Sequence, residues 1–378
     1  MAVYLAILPI CILLPELCKV FSNKYTSGLK KEYKTSVFYF IVMSVYMIII
    51  IGLRRTDIGI DTSNYASMYK SVGELDFSDL KYEMNDKGFV VLQMIFNRLH
   101  IGFSGFNFIY AMYVIAVVSC YIYKESEMPW LSYFLYVCFG FFILDFTMVR
   151  QTLAMAIVLM AFMIDKNRGV KDFILFALLV ILASTIHASA IIFMPVWFIK
   201  KLPFNSLIVA FLLILIPLCY LFKGQLTGFL VNMAGNVSDK YEGYSKVGEG
   251  SAGILLYLMM LVTVVFSLFV PGLFKDKKNA TLFYLLCIML VIFPGVQGGG
   301  AIMRIYYYFY MFMIVFIPNM VCSLDTKEKG FFVLIVFLYL AVGLYMYHGS
   351  LTSNNFKIVP YHFYWESYGR YIIRSVSY

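Results

Sequence analysis

Charge is what this chain has least of. Asp, Glu, Lys and Arg make up 13% of its 378 residues, about half the share of a soluble domain. With 62% hydrophobic residues and a mean hydropathy of +0.83, that scarcity excludes a water-soluble fold. Several chemical signatures are missing too. No Walker loop, Rossmann glycine pattern or Gly-x-Ser-x-Gly elbow occurs, so these nucleotide-binding and hydrolase sites are excluded. No Asp-x-Asp element is present to hold a nucleotide-sugar metal. Cys11, Cys18, Cys120, Cys138, Cys219, Cys287 and Cys322 show no metal-ligand spacing and lie in apolar runs or at their ends, so they read as small apolar residues and no metal is expected. No basic stripe lies on a soluble module, so nucleic acid is not an expected partner. The formal charge of +9 fits cytoplasmic anchoring of loops instead. No internal repeat or half-to-half symmetry of the transporter kind is visible.

What is present is a succession of apolar runs of helical length, since a transmembrane strand needs only about 9–11 alternating residues. The spans expected are 2–21, 36–53, 104–123, 130–147, 150–164, 204–222, 252–274, 279–295, 304–322 and 330–348. The first has no basic residue ahead of it and no small-residue cleavage site, so it reads as a span and not a signal peptide. Segment 172–200 is too long for one crossing and carries Ser184-Thr185-Ile186-His187-Ala188-Ser189 at its middle. It is predicted to form two short arms meeting at His187. The fold class is therefore all-α, a single polytopic membrane domain over 1–378 with about 12 transmembrane or re-entrant helices.

Lysine and arginine fix the sides. Loops 22–35, 165–172 and 275–278 and the pair Lys200-Lys201 are net basic, and all fall inside if 172–200 goes out and returns. Gly88 to Ile101 is apolar in helical pattern and reads as a helix on the outer interface, with Arg98 and His100 snorkelling at its end. The outer face then holds the loops 54–103, 223–251 and 295–303 and the tail 349–378.

On that face lie basic or titratable groups at the mouths of spans: Arg54 and Arg55, Arg150, His187 and Arg304. A cation at membrane depth costs about 2.5–3.5 kcal/mol on insertion scales, so several together point to an anionic partner. Arg54 through Tyr65 adds Asp57 and Asp61. Arginine grips phosphate oxygens bidentately, and a carboxylate accepts a proton from an attacking hydroxyl. The plainer reading is an interfacial anchor whose charges pair among themselves. Asp145 and Arg150 have the spacing to pair with each other. His187 has a plain reading too, as a buried imidazole bonded to Ser184 or Thr185, but a break at membrane depth usually lines a cavity. Gly295 to Gly300 ahead of Arg304 offers free N–H groups at a helix start. Tyr306 and Tyr307 read as an interfacial belt or as sugar-stacking surfaces.

Arg54-x-x-x-x-Gly59-x-Asp61-x-x-x-Tyr65, Arg150-Gln151-x-x-Ala154, His187-x-Ser189-Ala190, Arg304-x-Tyr306-Tyr307 and Val359-Pro360-Tyr361 stand in this order between spans. Together they resemble the EpsG-like branch of Wzy-type polysaccharide polymerases. The resemblance implies a GT-C-like bundle in the bacterial inner membrane, acting on the periplasmic face. It implies an undecaprenyl-pyrophosphate-linked glycan as donor and acceptor, no cofactor, and a flippase and chain-length regulator as further partners. Under it, Arg150 and Arg304, aided by Arg54 or Arg55, hold the pyrophosphate. His187, Asp57 or Asp61 is the base, and Tyr65, Gln151, Tyr306, Tyr307 and Tyr361 contact sugar. A lipid-linked oligosaccharide flippase or anion carrier is the competing class. A ligase of lipid-diphosphate type is disfavoured by outer loops of only moderate length.

Overall fold

The computed structural model describes residues 1–21, 37–81, 86–164, 169–235, 252–296, 304–324 and 329–367. Among them the chain is helical, with short 3-10 turns and one isolated antiparallel bridge between Arg54 and Phe363. The helices are α1 Ala2–Leu5, α2 Ile7–Phe21, α3 Val37–Gly52, α4 Thr62–Val72, α5 Lys87–Arg98, α6 Phe103–Glu125, α7 Pro129–Cys138, α8 Phe141–Thr147 and α9 Val149–Phe162. They continue as α10 Val170–Ile186, α11 Val196–Ile199, α12 Ser206–Leu221, α13 Lys223–Gly235, α14 Ala252–Ser267, α15 Lys277–Val296, α16 Arg304–Tyr310, α17 Met313–Cys322 and α18 Lys329–Ser353.

Four described helical stretches are long and apolar enough to cross a membrane: α6, α15, Arg304–Cys322 and Phe331–Ser353. Two bent pairs raise the number to six: α7 with α8, turned by 49°, and α12 with Lys223–Leu230, turned by 91°. The first bend has a local cause. Between α7 and α8, Gly140 adopts a φ of +97°, a left-handed conformation that interrupts the helix. Asn205 starts α12 by accepting from Leu207 N at 2.8 Å and Ile208 N at 3.3 Å. The chain is a membrane-integral, all-helical protein.

Contacts sort the helix ends into two groups. At one end Lys278 Nζ lies 3.3 Å from Glu125 Oε2, Asn319 Nδ2 donates to Glu125 O and Asn279 Oδ1, and Lys124 Nζ reaches Met163 O. Lys200 Nζ joins them, donating to Phe162 O at 2.6 Å and Ile164 O at 2.7 Å. Lys200 is therefore back at the end where α9 finished, so 170–200 runs out and returns as its loop charges predicted. The turning point is His187, with extended backbone (φ −150°, ψ 108°) between α10 and a 3-10 turn over Ala188–Phe193. The turn is pinned by Phe193, whose ring stacks on Phe312 at 5.7 Å and packs on Phe162, Phe176 and Phe309.

The stretch expected as a loop over 54–103 is largely helical. It holds α4, a 3-10 turn at Phe77–Lys81 and α5. Helix α5 overlaps the stretch expected to be helical and buries Phe89, Val90, Gln93 and Met94 while exposing Ile95. Its Arg98 pairs with Asp76 at 3.3 Å and lies 4.2 Å over the Phe77 ring, so it is held by neighbours where snorkelling was expected. The 223–251 loop also begins as helix, α13, and the tail begins inside α18. Loop 22–35, residues 165–168, 236–251 and 297–303, and the tail beyond 367 lie outside the described residues.

Candidate anion and proton-transfer site

The end opposite Lys200 and Lys278 gathers the polar residues singled out in the sequence. Three chain segments meet there. Helix α9 begins at Val149 and presents Arg150, α10 breaks at His187, and the N-cap of α5 presents Asp86. Arg150 Nη1 lies 3.2 Å from Asp86 Oδ2, and His187 Nδ1 lies 3.5 Å from the same oxygen. Ala188 N approaches Asp86 Oδ1 at 3.4 Å. One carboxylate thus faces a guanidinium, an imidazole and the first N–H of the 3-10 turn. Burial opposes the charge on Asp86, but the facing His187 and Arg150 and the Ala188 N–H outweigh it. The carboxyl titrates below its ordinary value.

This arrangement corrects two sequence-based pairings. Arg150 takes Asp86 as its ion-pair partner, while Asp145 accepts from Tyr136 Oη at 2.5 Å. His187 faces Asp86, while Ser184 and Thr185 bond back to Ile181 O and Leu182 O at 2.7 Å each. Those two hydroxyls compete for the last helical carbonyls, which helps α10 stop where it does.

Around this core stand the other predicted residues. The Arg150 guanidinium is 5.8 Å from the centre of the Tyr65 ring, and Asp61 is close enough for its charge to act on it. Gln151 Nε2 donates to Arg304 O at 2.7 Å, tying the start of α16 to the start of α9. The Arg304 charge acts on His187. Tyr306 and Tyr307 stack on each other at 4.3 Å, and Tyr306 packs against Phe293 within the bundle. Several polar atoms here are buried without a hydrogen-bond partner among the described residues: Arg150 Nε, Gln151 Oε1, His187 Nδ1 and Nε2, and Ser189 Oγ. Buried polar atoms are nearly always satisfied, so these atoms call for polar partners from water or a ligand. Among the described residues no three His, Cys, Asp or Glu side chains gather as metal ligands would.

Arg54, Arg55 and Asp57 form a second, adjoining cluster. Arg54 is 2% exposed and donates to Ile51 O and Phe146 O. Arg55 holds Asp57 in a two-pronged pair, both contacts 2.7 Å, and donates to Glu366 O and Ser367 O. That grip keeps the Asp57 carboxyl below the usual carboxylate range. The tail closes over this loop: Tyr364 N donates to Leu53 O, Arg55 N to His362 O, Gly59 N to Lys357 O, and Tyr361 Oη to Ile50 O. The structure therefore brings Arg150, His187, Arg304, Asp61, Tyr65 and Gln151 to one place and sets Arg54, Arg55, Asp57 and Tyr361 in a wall beside it.

The residue missed from sequence is Asp86. It lies in the polar run Glu83-Met84-Asn85-Asp86-Lys87, where a solvated loop is the natural reading. The available signal was its place as the acidic residue before an amphipathic helix that begins Lys87-Gly88.

The chain is thus a polytopic membrane protein with arginines and a histidine converging at one end of its bundle. The sequence profile of the EpsG family matches residues 37–363. The chain belongs to that family, whose members are Wzy-type, exopolysaccharide-polymerase-like proteins. No characterised protein and no solved structure shows a significant match to the chain. The match covers every element of the site, from α3 through the tail residue Phe363, and it supports a polymerase-like role in polysaccharide biosynthesis.

Proposed function

We propose that the protein joins lipid-linked oligosaccharide repeat units into a polysaccharide, O-antigen, capsule or exopolysaccharide, on the periplasmic face of the bacterial inner membrane. The donor is a glycan on undecaprenyl pyrophosphate and the acceptor is the non-reducing sugar of a second such unit. Arg150 and Arg304 hold the donor pyrophosphate, and His187 takes the proton of the acceptor hydroxyl. As the hydroxyl oxygen bonds to the anomeric carbon, the bond from that carbon to the pyrophosphate oxygen breaks and its electron pair leaves on the lipid pyrophosphate, inverting the centre. Preformed cations that meet this growing charge lower the barrier, so the guanidiniums supply what a metal supplies elsewhere. Asp61, Tyr65, Gln151 and the Tyr306-Tyr307 pair border the acceptor sugar, while Arg54, Arg55, Asp57 and Tyr361 hold the wall. A GT-C-like bundle belongs to the same reading, with α10 and the shorter apolar helices bringing the crossings to about the twelve expected. So do a flippase and a chain-length regulator as partners.

One observation carries the proposal: Arg150, His187 and Arg304, far apart in sequence, converge with unpartnered buried polar atoms at one end of the bundle. The test uses purified protein in lipid nanodiscs with the repeat unit on undecaprenyl pyrophosphate. Wild type should build a ladder of products, and Arg150→Ala and Arg304→Ala should each lose roughly 10²–10³-fold in kcat, the usual cost of removing one charge-stabilising donor. Unchanged rates in both variants would sink the clamp. In cells, a deletion that leaves single-unit caps on the surface fits a polymerase, whereas loss of all surface units identifies a flippase.

A further inference from the structure

Asp86 is not among the residues that the family motifs single out, yet it is the group the site is assembled around. Its two oxygens face Ala188 N, Arg150 Nη1 and His187 Nδ1, drawn from two other parts of the chain. We infer that Asp86 is the positioning residue of the transfer, fixing the His187 ring so that Nε2 faces the acceptor hydroxyl while it registers Arg150 for the donor. This rests on the polymerase reading above.

The chemistry follows from the two ring nitrogens. A neutral imidazole carries one N–H, and the group opposite that nitrogen decides which one keeps it. A carboxylate accepts only, so Asp86 facing Nδ1 favours the proton there and leaves the lone pair on Nε2. Both ring nitrogens are buried without a hydrogen bond among the described residues, and Asp86 Oδ2, 3.5 Å from Nδ1, marks Nδ1 as the nitrogen that faces a carboxylate. When Nε2 takes the proton of the acceptor hydroxyl, the ring becomes a cation next to Asp86, which stabilises it where it stands. Asp86 itself exchanges no proton and touches no substrate. The same carboxylate also fixes the distance between base and clamp, so the attacking oxygen and the leaving pyrophosphate are set in one geometry.

The charged groups bearing on His187 are Asp86 at the α5 N-cap, Arg150 on α9 and Arg304 on α16. Asp86 is the acid among them. Arg304 and Arg150 alone would disfavour a ring that must become positive, and Asp86 offsets them. Its other role, stapling the start of the 3-10 turn through Ala188 N, is purely structural. The test must separate the two.

The experiment is a double-mutant cycle on the full-length protein in nanodiscs, with the undecaprenyl-pyrophosphate repeat unit as substrate. D86N should lower kcat by roughly 10²-fold or more, up to about 10⁴, the loss when the carboxylate behind a catalytic imidazole becomes an amide, while D86E keeps most of the activity. H187Q should cost far less in the D86N background than in wild type, because two residues acting as one unit are non-additive. Losses that simply multiply in the cycle overturn the inference, as does full activity of D86N. If D86N does not fold, judged by its thermal midpoint, the cycle is run on D86S, which also removes the carboxylate and where the same non-additivity is required. Failure of the inference is separable from failure of the reading. Full activity in D86N beside inactive R150A and H187Q overturns only the former, and a wild type that builds no ladder overturns both.

Discussion

A Cβ on Gly88 would stand 2.2 Å from Thr185 Oγ1 and 2.9 Å from the Thr185 carbonyl carbon. The absence of a side chain at 88 is what lets α5 lie against α10 and carry Asp86 to His187. Gly88→Ala must push the two apart, and overpacking of this kind costs about 1–3 kcal/mol. The expected result is a polymerase activity down by roughly tenfold or more with helix content by circular dichroism unchanged. A fully active variant would remove Gly88 from the account of the site. Asp86 also has a signature in acid. Its carboxyl titrates lower in the folded protein than the value of about 3.9 in an unfolded chain. Its ion pair therefore stabilises the fold above that value and is lost as pH falls through the lower, folded one. Below about pH 4 the thermal midpoint of wild type should drop more steeply than that of Asp86→Asn; parallel curves would show that the carboxylate adds no stability. Nothing in the sequence ties residue 86 to 150 or 187. Both are contacts of tertiary structure, 64 residues apart in the first case, and no helical or strand period links them.

Elements were read more readily than the joints between them. Apolar runs located α3, α6, α9, α12, α15 and the stretch from Arg304 to Cys322, because burial in lipid or protein leaves a compositional mark. The return of 170–200 was legible for a different reason: Lys200 and Lys201 had to rejoin the other basic loops, and Lys200 does meet the carbonyls of Phe162 and Ile164. The breaks at Gly140 and Phe222 were not legible. A glycine inside an apolar run has no fixed meaning, and the turn of 91° into α13 is made without a proline at the joint. Helix α4 was hidden by its polarity, since its mean composition is close to neutral and reads as loop. The return makes a prediction at this scale. Cysteines replacing Lys201 and Lys124 should react with a membrane-impermeant maleimide from one side of sealed vesicles, and a cysteine replacing Ser63 from the other. Labelling of all three from one side contradicts the two-ended arrangement of contacts.

Across the whole molecule, the first and last described segments are knitted together at the site end. Tyr4 Oη donates to Ile358 O, Tyr347 Oη donates to Tyr4 O, and the Tyr4 ring packs edge-on against Phe146 and Tyr361. Residues 354–367 supply backbone partners to Leu53, Arg55 and Gly59. A chain ending at Ser353 should therefore insert yet melt well below the full-length protein and build no ladder. Retention of activity would make the tail dispensable. The single change Tyr361→Phe, which removes one bond to Ile50 O, should cost only about 1 kcal/mol. The family assignment spans the same extent, from α3 to Phe363, so the tail lies within the unit that the family shares.

The closure of Arg54 against Phe363 also sets a clock. At a synthesis rate of about 5–20 residues per second, the partner strand emerges roughly 15–60 s after the loop it covers. For that interval Arg55 must wait without the carbonyls of His362, Glu366 and Ser367 that later hold it. A cysteine in place of Ile58, buried in the finished protein, should be open to maleimide on chains stalled before Asn354 and closed on chains released beyond Ser367. The last stretch of the described chain to be made is thus the one that seals a charged stretch made near its beginning.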